Sequence, residues 1–126
     1  MDSDMPQRAR FIQFVAGAFV VVAISGCDYY ADRMSVGQQQ LKQGKYPQAE
    51  EAFAEATTAA EDGESLYHSL KALAKVYEAW GEIEKADMVE RHAVRVMGHC
   101  LEDKMNGLRP CPVRQTDLQI SLQSDG

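Results

Sequence analysis

Three cysteines carry the most versatile chemistry of this chain. Cys27 stands behind Ile24-Ser25-Gly26, while Cys100 and Cys111 lie toward the C-terminus, with His92 and His99 shortly before them. A thiolate is a nucleophile and a metal ligand, and two thiols close a disulfide where the compartment is oxidising. His92 and His99 are seven apart and share a helix face, so His99, Cys100 and Cys111 give one reading as a small metal or redox site. Their spacing matches no structural zinc pattern. Lys71 and Lys75 are four apart, also on one helix face, where two ammonium groups suit a carboxylate. The bland reading of both lysines is a solvated helix face. No glycine-rich phosphate loop, nucleophile elbow or His-Glu-x-x-His motif occurs. Glu50, Glu51, Glu55, Glu82 and Glu84 fall at helical positions near lysines, as on a solvated face. The chain is therefore expected to be non-enzymatic and to need no cofactor.

The chemistry of Cys27 depends on what precedes it. Residues 1–10 are polar and carry Arg8 and Arg10, with Asp2 and Asp4 diluting the positive charge. From Phe11 to Ala23 the chain is apolar except for Gln13. That length suits the hydrophobic region of a signal peptide and is short of the roughly 20 residues that span a bilayer. Ser25 and Gly26 are small, so a peptidase can close around extended backbone there. Ile24-Ser25-Gly26-Cys27 resembles the lipobox of bacterial lipoproteins. The resemblance implies a signal peptide over 1–26, cleavage before Cys27, acylation of that thiol and a short tether over 27–29. The protein would then be lipid-anchored on the extracytoplasmic (periplasmic) side of a bacterial membrane. Asp28 resembles the enterobacterial signal for retention in the inner membrane. The rivals are an uncleaved N-terminal anchor and a cleaved secretory signal that leaves Cys27 free. With Cys27 acylated, Cys100 and Cys111 remain as a pair in an oxidising compartment, and two leftover cysteines there usually pair. The geometry permits it. The last helix rises about 9 Å from Cys100 to Asn106 at 1.5 Å per residue, the chain can turn at Gly107, and the next residues can return at about 3.3 Å each.

The elements that position these side chains are legible as periodicity. Gly44-Lys45-Tyr46-Pro47-Gln48-Ala49 is echoed by Gly81-Glu82-Ile83-Glu84-Lys85-Ala86, 37 residues on (81 − 44). The same offset pairs Gly37 with Ala74, Ala52 with Val89, Ala56 with Ala93 and Ala59 with Val96. A fixed period of this size marks stacked supersecondary units. Four helices are expected. The first runs from about Tyr30 to Gln43, with Tyr30, Met34, Gly37 and Leu41 on one face. The second is alanine-rich, starts near Pro47 and ends near Ala60, with Phe53 filling the space between helices. The third runs from about Ser65 to Trp80 with a stripe of Leu66, Leu70, Leu73 and Tyr77. The fourth follows Gly81 to about Met105. Gly44 suits a helix end and Pro47 the first turn of the next helix.

These units resemble the tetratricopeptide repeat. Gly37, Gly44, Ala49 and Ala56 occupy its small-residue positions in the first unit, and Ala74, Tyr77, Gly81, Ala86 and Ala93 match in the second. The family's period is 34 residues, so three extra residues are expected in the connection near Asp62-Gly63. The resemblance implies an all-α fold of two helix-turn-helix repeats over 30–105. A C-terminal segment, 106–126, would be pinned by the disulfide. It further implies a groove for an extended peptide or a helix, lined by Met34, Gln38 and Leu41 of the first repeat and His68, Lys71, Lys75 and Glu78 of the second. The asparagines of the family's carboxylate-clamp subset are absent.

Charge and length narrow the partners. A net charge of −6 over 126 residues offers little support for a nucleic-acid role, which usually shows a basic stripe. A protein or peptide partner in the cell envelope is expected, with the membrane held through lipid. Two repeats are few for a solenoid, so the open end should be covered by the long fourth helix, the tail, a second copy or a partner. Leu118, Ile120 and Leu122 alternate with polar residues, a period-two pattern that reads as a strand seeking a sheet edge or as a loose terminus. The expectation is a membrane-tethered adaptor, similar in plan to the larger repeat lipoproteins of outer-membrane protein assembly and pilus biogenesis. The alternative within binding is a structural subunit of one obligate complex.

Overall fold

The computed structural model describes residues 27–117, and no strand occurs among them. Four helices follow in order: α1, Cys27–Lys42; α2, Tyr46–Ala59; α3, Gly63–Trp80; α4, Ile83–Met105. They form two antiparallel pairs, α1 with α2 and α3 with α4, and α3 also packs against α2. The apolar stripe of Leu66, Leu70, Leu73 and Tyr77 is buried along its whole length, so α3 is the central helix. Phe53 of α2 and Val89, Ala93 and Val96 of α4 join it in one core. The alanines of α2 that face the core, Ala49, Ala52 and Ala56, let neighbouring backbones approach closely.

Each pair turns in the same way. Gly44 and Gly81 end α1 and α3 with φ of 75° and 89°, a left-handed conformation that a Cβ disfavours. The residue after each glycine donates its backbone N–H to a carbonyl five residues back: Lys45 to Gln40 at 2.9 Å and Glu82 to Tyr77 at 2.8 Å. Lys45 and Glu82 then share a backbone conformation (φ −90°, ψ 76° and φ −88°, ψ 71°), and the next helix starts at Tyr46 or Ile83, again 37 apart. The echo in the sequence is thus an echo in backbone geometry. The break between the pairs differs. Asp62 caps α3 by accepting from the Ser65 backbone N–H at 2.8 Å.

One boundary departs from expectation, while α4 ends at Met105 as expected. Helix α1 begins at Cys27, so 27–29 form its first turn and not a separate tether. Asp28 in that turn suits the positive end of the helix dipole. Helix α4 runs nine residues past Val96, the counterpart of the last residue of α2. This extension carries Cys100 and Asp103, and the chain then folds back over it. Leu108 donates to the Asp103 carbonyl at 2.9 Å to make the turn at Gly107. Part of the open end is therefore covered from within the chain. Gln115 to Asp117 form a helical turn; Leu118, Ile120 and Leu122, on which the expected strand rests, lie outside the described residues, as does the segment 1–26.

Candidate functional site

Phe53 supplies the floor of a groove between α1 and α3. Its ring is wholly buried, and above it the facing surfaces of α1 and α3 diverge to leave an open cleft of about 680 Å³. Met34, Gln38 and Leu41 line it from α1, and His68, Lys71 and Lys75 from α3. Six of the seven residues assigned to a groove from sequence are thus brought together. Glu78 lines an adjoining recess that shares Lys71 and Lys75 with the first. Sequence reasoning missed Lys42, Tyr67 and Ala72 as lining residues. All three were within reach of the same argument, since each stands four positions from an assigned residue (Gln38, Lys71 and His68) and so shares its helix face.

The rim is basic although the protein is acidic. Lys42 and Lys75 are exposed, and among the described residues neither has an ion-pair partner. His68 stands beside them on the rim. Lys71 differs. Its ammonium meets the Glu90 carboxylate of α4 in an ion pair, and that hydrogen bond raises its pKa above the ordinary lysine value. Lys71 and Lys75 therefore do not act as the matched pair that their spacing suggests; Lys75 is the one open to an incoming carboxylate. The Tyr67 ring lies edge-on to His68 at 5.4 Å, giving the groove an aromatic shoulder.

The adjoining recess, about 340 Å³, is the counterpart of the groove floor one unit later. Moving 37 residues along the chain replaces Met34 with Lys71, Leu41 with Glu78 and Phe53 with Glu90. In the first pair these positions face α3. In the second they face outward, and the Lys71–Glu90 ion pair lies across them.

His92, His99 and Cys100 lie elsewhere, on the far part of α4, and Cys111 in the chain that returns over it. The sulfurs of Cys100 and Cys111 stand at disulfide distance with their Cα atoms 5.2 Å apart. The returning chain also reaches α3: the Gly63 N–H donates to the Cys111 carbonyl at 2.9 Å, and a Cβ on Gly63 would meet the Cys111 sulfur at 2.7 Å. Arg114 then pairs with Asp103 at 3.0 Å. His92 is buried. Its Nε2–H donates to the Asp117 carbonyl at 2.5 Å, and Arg95 donates to its Nδ1 at 3.4 Å. Burial disfavours the charged ring and lowers the His92 pKa, an effect the Asp117 carbonyl partly offsets. His99 Nδ1 lies 3.5 Å from a carboxylate oxygen of the buried Asp117. The two thiols thus face one another, and both histidines serve the returning chain. Among the described residues, no three His, Cys, Asp or Glu side chains are set to hold a metal ion. Among them, too, no helix is long and apolar enough to cross a membrane.

No family model matches the chain, and neither a curated protein nor a solved structure matches it.

Proposed function

We propose that this protein is a non-enzymatic binding scaffold of two tetratricopeptide-like helix pairs. In this reading it is held on a bacterial membrane through an acylated Cys27, and it grips an acidic, extended segment of a partner protein. The observation that carries the binding role is the groove over Phe53. It combines an apolar floor with a basic rim of Lys42, His68 and Lys75, in a chain whose net charge is −6. A ligand of opposite charge is steered to such a rim, while the apolar floor takes its side chains. The Lys71–Glu90 closure supports two units as the whole array and disfavours a subunit that buries this end in an obligate complex.

The test is site-specific photo-crosslinking from Gln38, an exposed groove position, in membranes of cells making the full chain. One dominant crosslinked partner is expected. Lys42→Glu with Lys75→Glu should abolish that crosslink while leaving the thermal unfolding midpoint unchanged, because both ammonium groups lie in solvent. A crosslink indifferent to the charge reversal would sink the acidic-segment reading. Cys27→Ala should release the protein from the membrane, and intact mass should show the wild-type chain starting at an acylated Cys27.

A further inference from the structure

Cys27 is both the residue where the anchor would attach and the first residue of α1. The apolar run ends at Ala23, and the four residues 24–27 span at most about 13 Å at 3.3 Å each. Either anchor, an acyl group on Cys27 or the apolar run itself, would hold this end of the helical body close to the bilayer. No long spacer lets it stand off.

The structure shows what else lies at that end. The Tyr30 hydroxyl of α1 donates to the Ser65 carbonyl at 2.7 Å, and Lys104 of α4 pairs with Glu64 of α3 at 2.5 Å. The start of α1, the start of α3 and the end of α4 are therefore side by side. Four large apolar side chains stand in solvent on or beside this end: Tyr29, Leu101, Met105 and Leu108. Met105 is 87% exposed, the most of any large apolar residue among those described. Leu101 and Met105 are four apart on α4 and so share a face, and Leu108 follows in the turn just beyond them. The Cys100–Cys111 link and the Gly63–Cys111 hydrogen bond hold the chain on either side of the Leu108 turn, so these side chains are presented on a rigid base.

We propose that this end rests on the lipid surface, with Tyr29, Leu101, Met105 and Leu108 inserted at the headgroup boundary. The proposal rests on the membrane-tethering part of the function above. Apolar side chains enter that boundary readily, and tyrosine is at home there with its ring in lipid and its hydroxyl in water. Attraction to anionic lipid is not the driving force. Asp28, Asp32, Glu61, Asp62 and Glu64 outnumber Arg33, Lys104 and Arg109 at this end. The contact should therefore hold on zwitterionic bilayers and gain nothing from anionic ones. The consequence is an orientation. The turns at Gly44 and Gly81 stand away from the membrane by about the length of α3, roughly 27 Å for 18 residues. Lys42 and Lys75 then mark the end of the groove that faces away from the bilayer.

The sole tryptophan, Trp80, is the last residue of α3, at the far end, and serves as an internal control. The full chain would be recovered from bacterial membranes and reconstituted in phosphatidylcholine vesicles whose acyl chains carry bromine, a contact quencher. Wild-type Trp80 emission should be unaffected. The variant Trp80→Phe with Met105→Trp should shift to shorter wavelength and lose most of its emission. Leu108→Trp on the same Trp80→Phe background should do likewise. Vesicle flotation separates the failures. A chain that does not float overturns the tethering reading and this proposal with it. If the Met105→Trp chain floats but its emission is unquenched, the orientation alone is overturned. A blue-shifted but unquenched signal, with cross-linking to a dimer, would show that a second copy covers this face instead, and overturns the proposal also.

Discussion

The two helix pairs share one turn and differ in what they present to the next element. In the first pair, Gly37 of α1 lies against the Phe53 ring so closely that a Cβ there would stand 2.6 Å from it. In the second, the counterparts are Ala74 and Glu90. The ring is gone, so the Cβ is tolerated, and the carboxylate turns outward to Lys71. Gly37 with Phe53 builds a face that receives another helix; Ala74 with Glu90 builds one that faces outward. The backbone turn and the surface chemistry are therefore separable: the two pairs share the first and differ in the second.

The comparison can be broken most forcefully at Phe53. Phe53→Ala is expected to cost about 3–5 kcal/mol, as deletion of a buried ring usually does. Glu90→Ala should cost about 1 kcal/mol or less, because its ion pair is partly exposed. Urea unfolding of both variants reads the difference, and equal losses would undo the distinction between an inward and an outward face. The next effect concerns a device the first pair lacks, the returning chain on α4. Cys100→Ser should lower stability by about 2–4 kcal/mol. Thiol titration of the denatured, unreduced chain should find neither Cys100 nor Cys111 free; finding both would remove the covalent link. Gly37→Ala comes third, with a loss of about 1–3 kcal/mol from overpacking. Phe53→Leu in the same chain should shrink that increment, whereas an unchanged increment would locate its cause elsewhere.

The smallest effect should be pH-dependent. His92 has a folded-state pKa below its ordinary value of 6.5, so the unfolded chain takes up its proton first as pH falls. Its contribution to stability is complete above 6.5, declines as pH drops below that value, and levels off beneath the depressed folded pKa. The groups facing it set the sign: burial and Arg95 oppose the proton, as does His99, while the Asp117 carbonyl and carboxylate favour it. Comparing His92→Gln with wild type at about pH 7.5 and about pH 5, on either side of the ordinary histidine value, checks this. The variant should lose less stability than wild type across that interval.

The periodicity made most of the fold legible, because helix boundaries here are written in local chemistry. Gly44 and Gly81 stop helices through the left-handed backbone they adopt, and the stripe of Leu66, Leu70, Leu73 and Tyr77 has only one apolar side to bury. For the same reason the groove was largely visible. Residues three and four apart share a face in any α-helix, so placing α1 and α3 side by side placed Met34, Leu41, His68 and Lys75 together. What escaped was whatever depends on distant partners. That Lys71 is already engaged follows from Glu90 on another helix, and that His92 is buried follows from Asp117, 25 residues further along.

Local patterns along the chain account for the four helices described, their turns, the pairing expected of Cys100 and Cys111 and the faces that lie inward. Which of those faces stay open depends on contacts between helices. Periodicity records how a segment is turned relative to itself, whereas burial and charge pairing record what arrives from elsewhere in the chain. The groove over Phe53, the closed face across Lys71 and Glu90 and the apolar end around Met105 are all of the second kind.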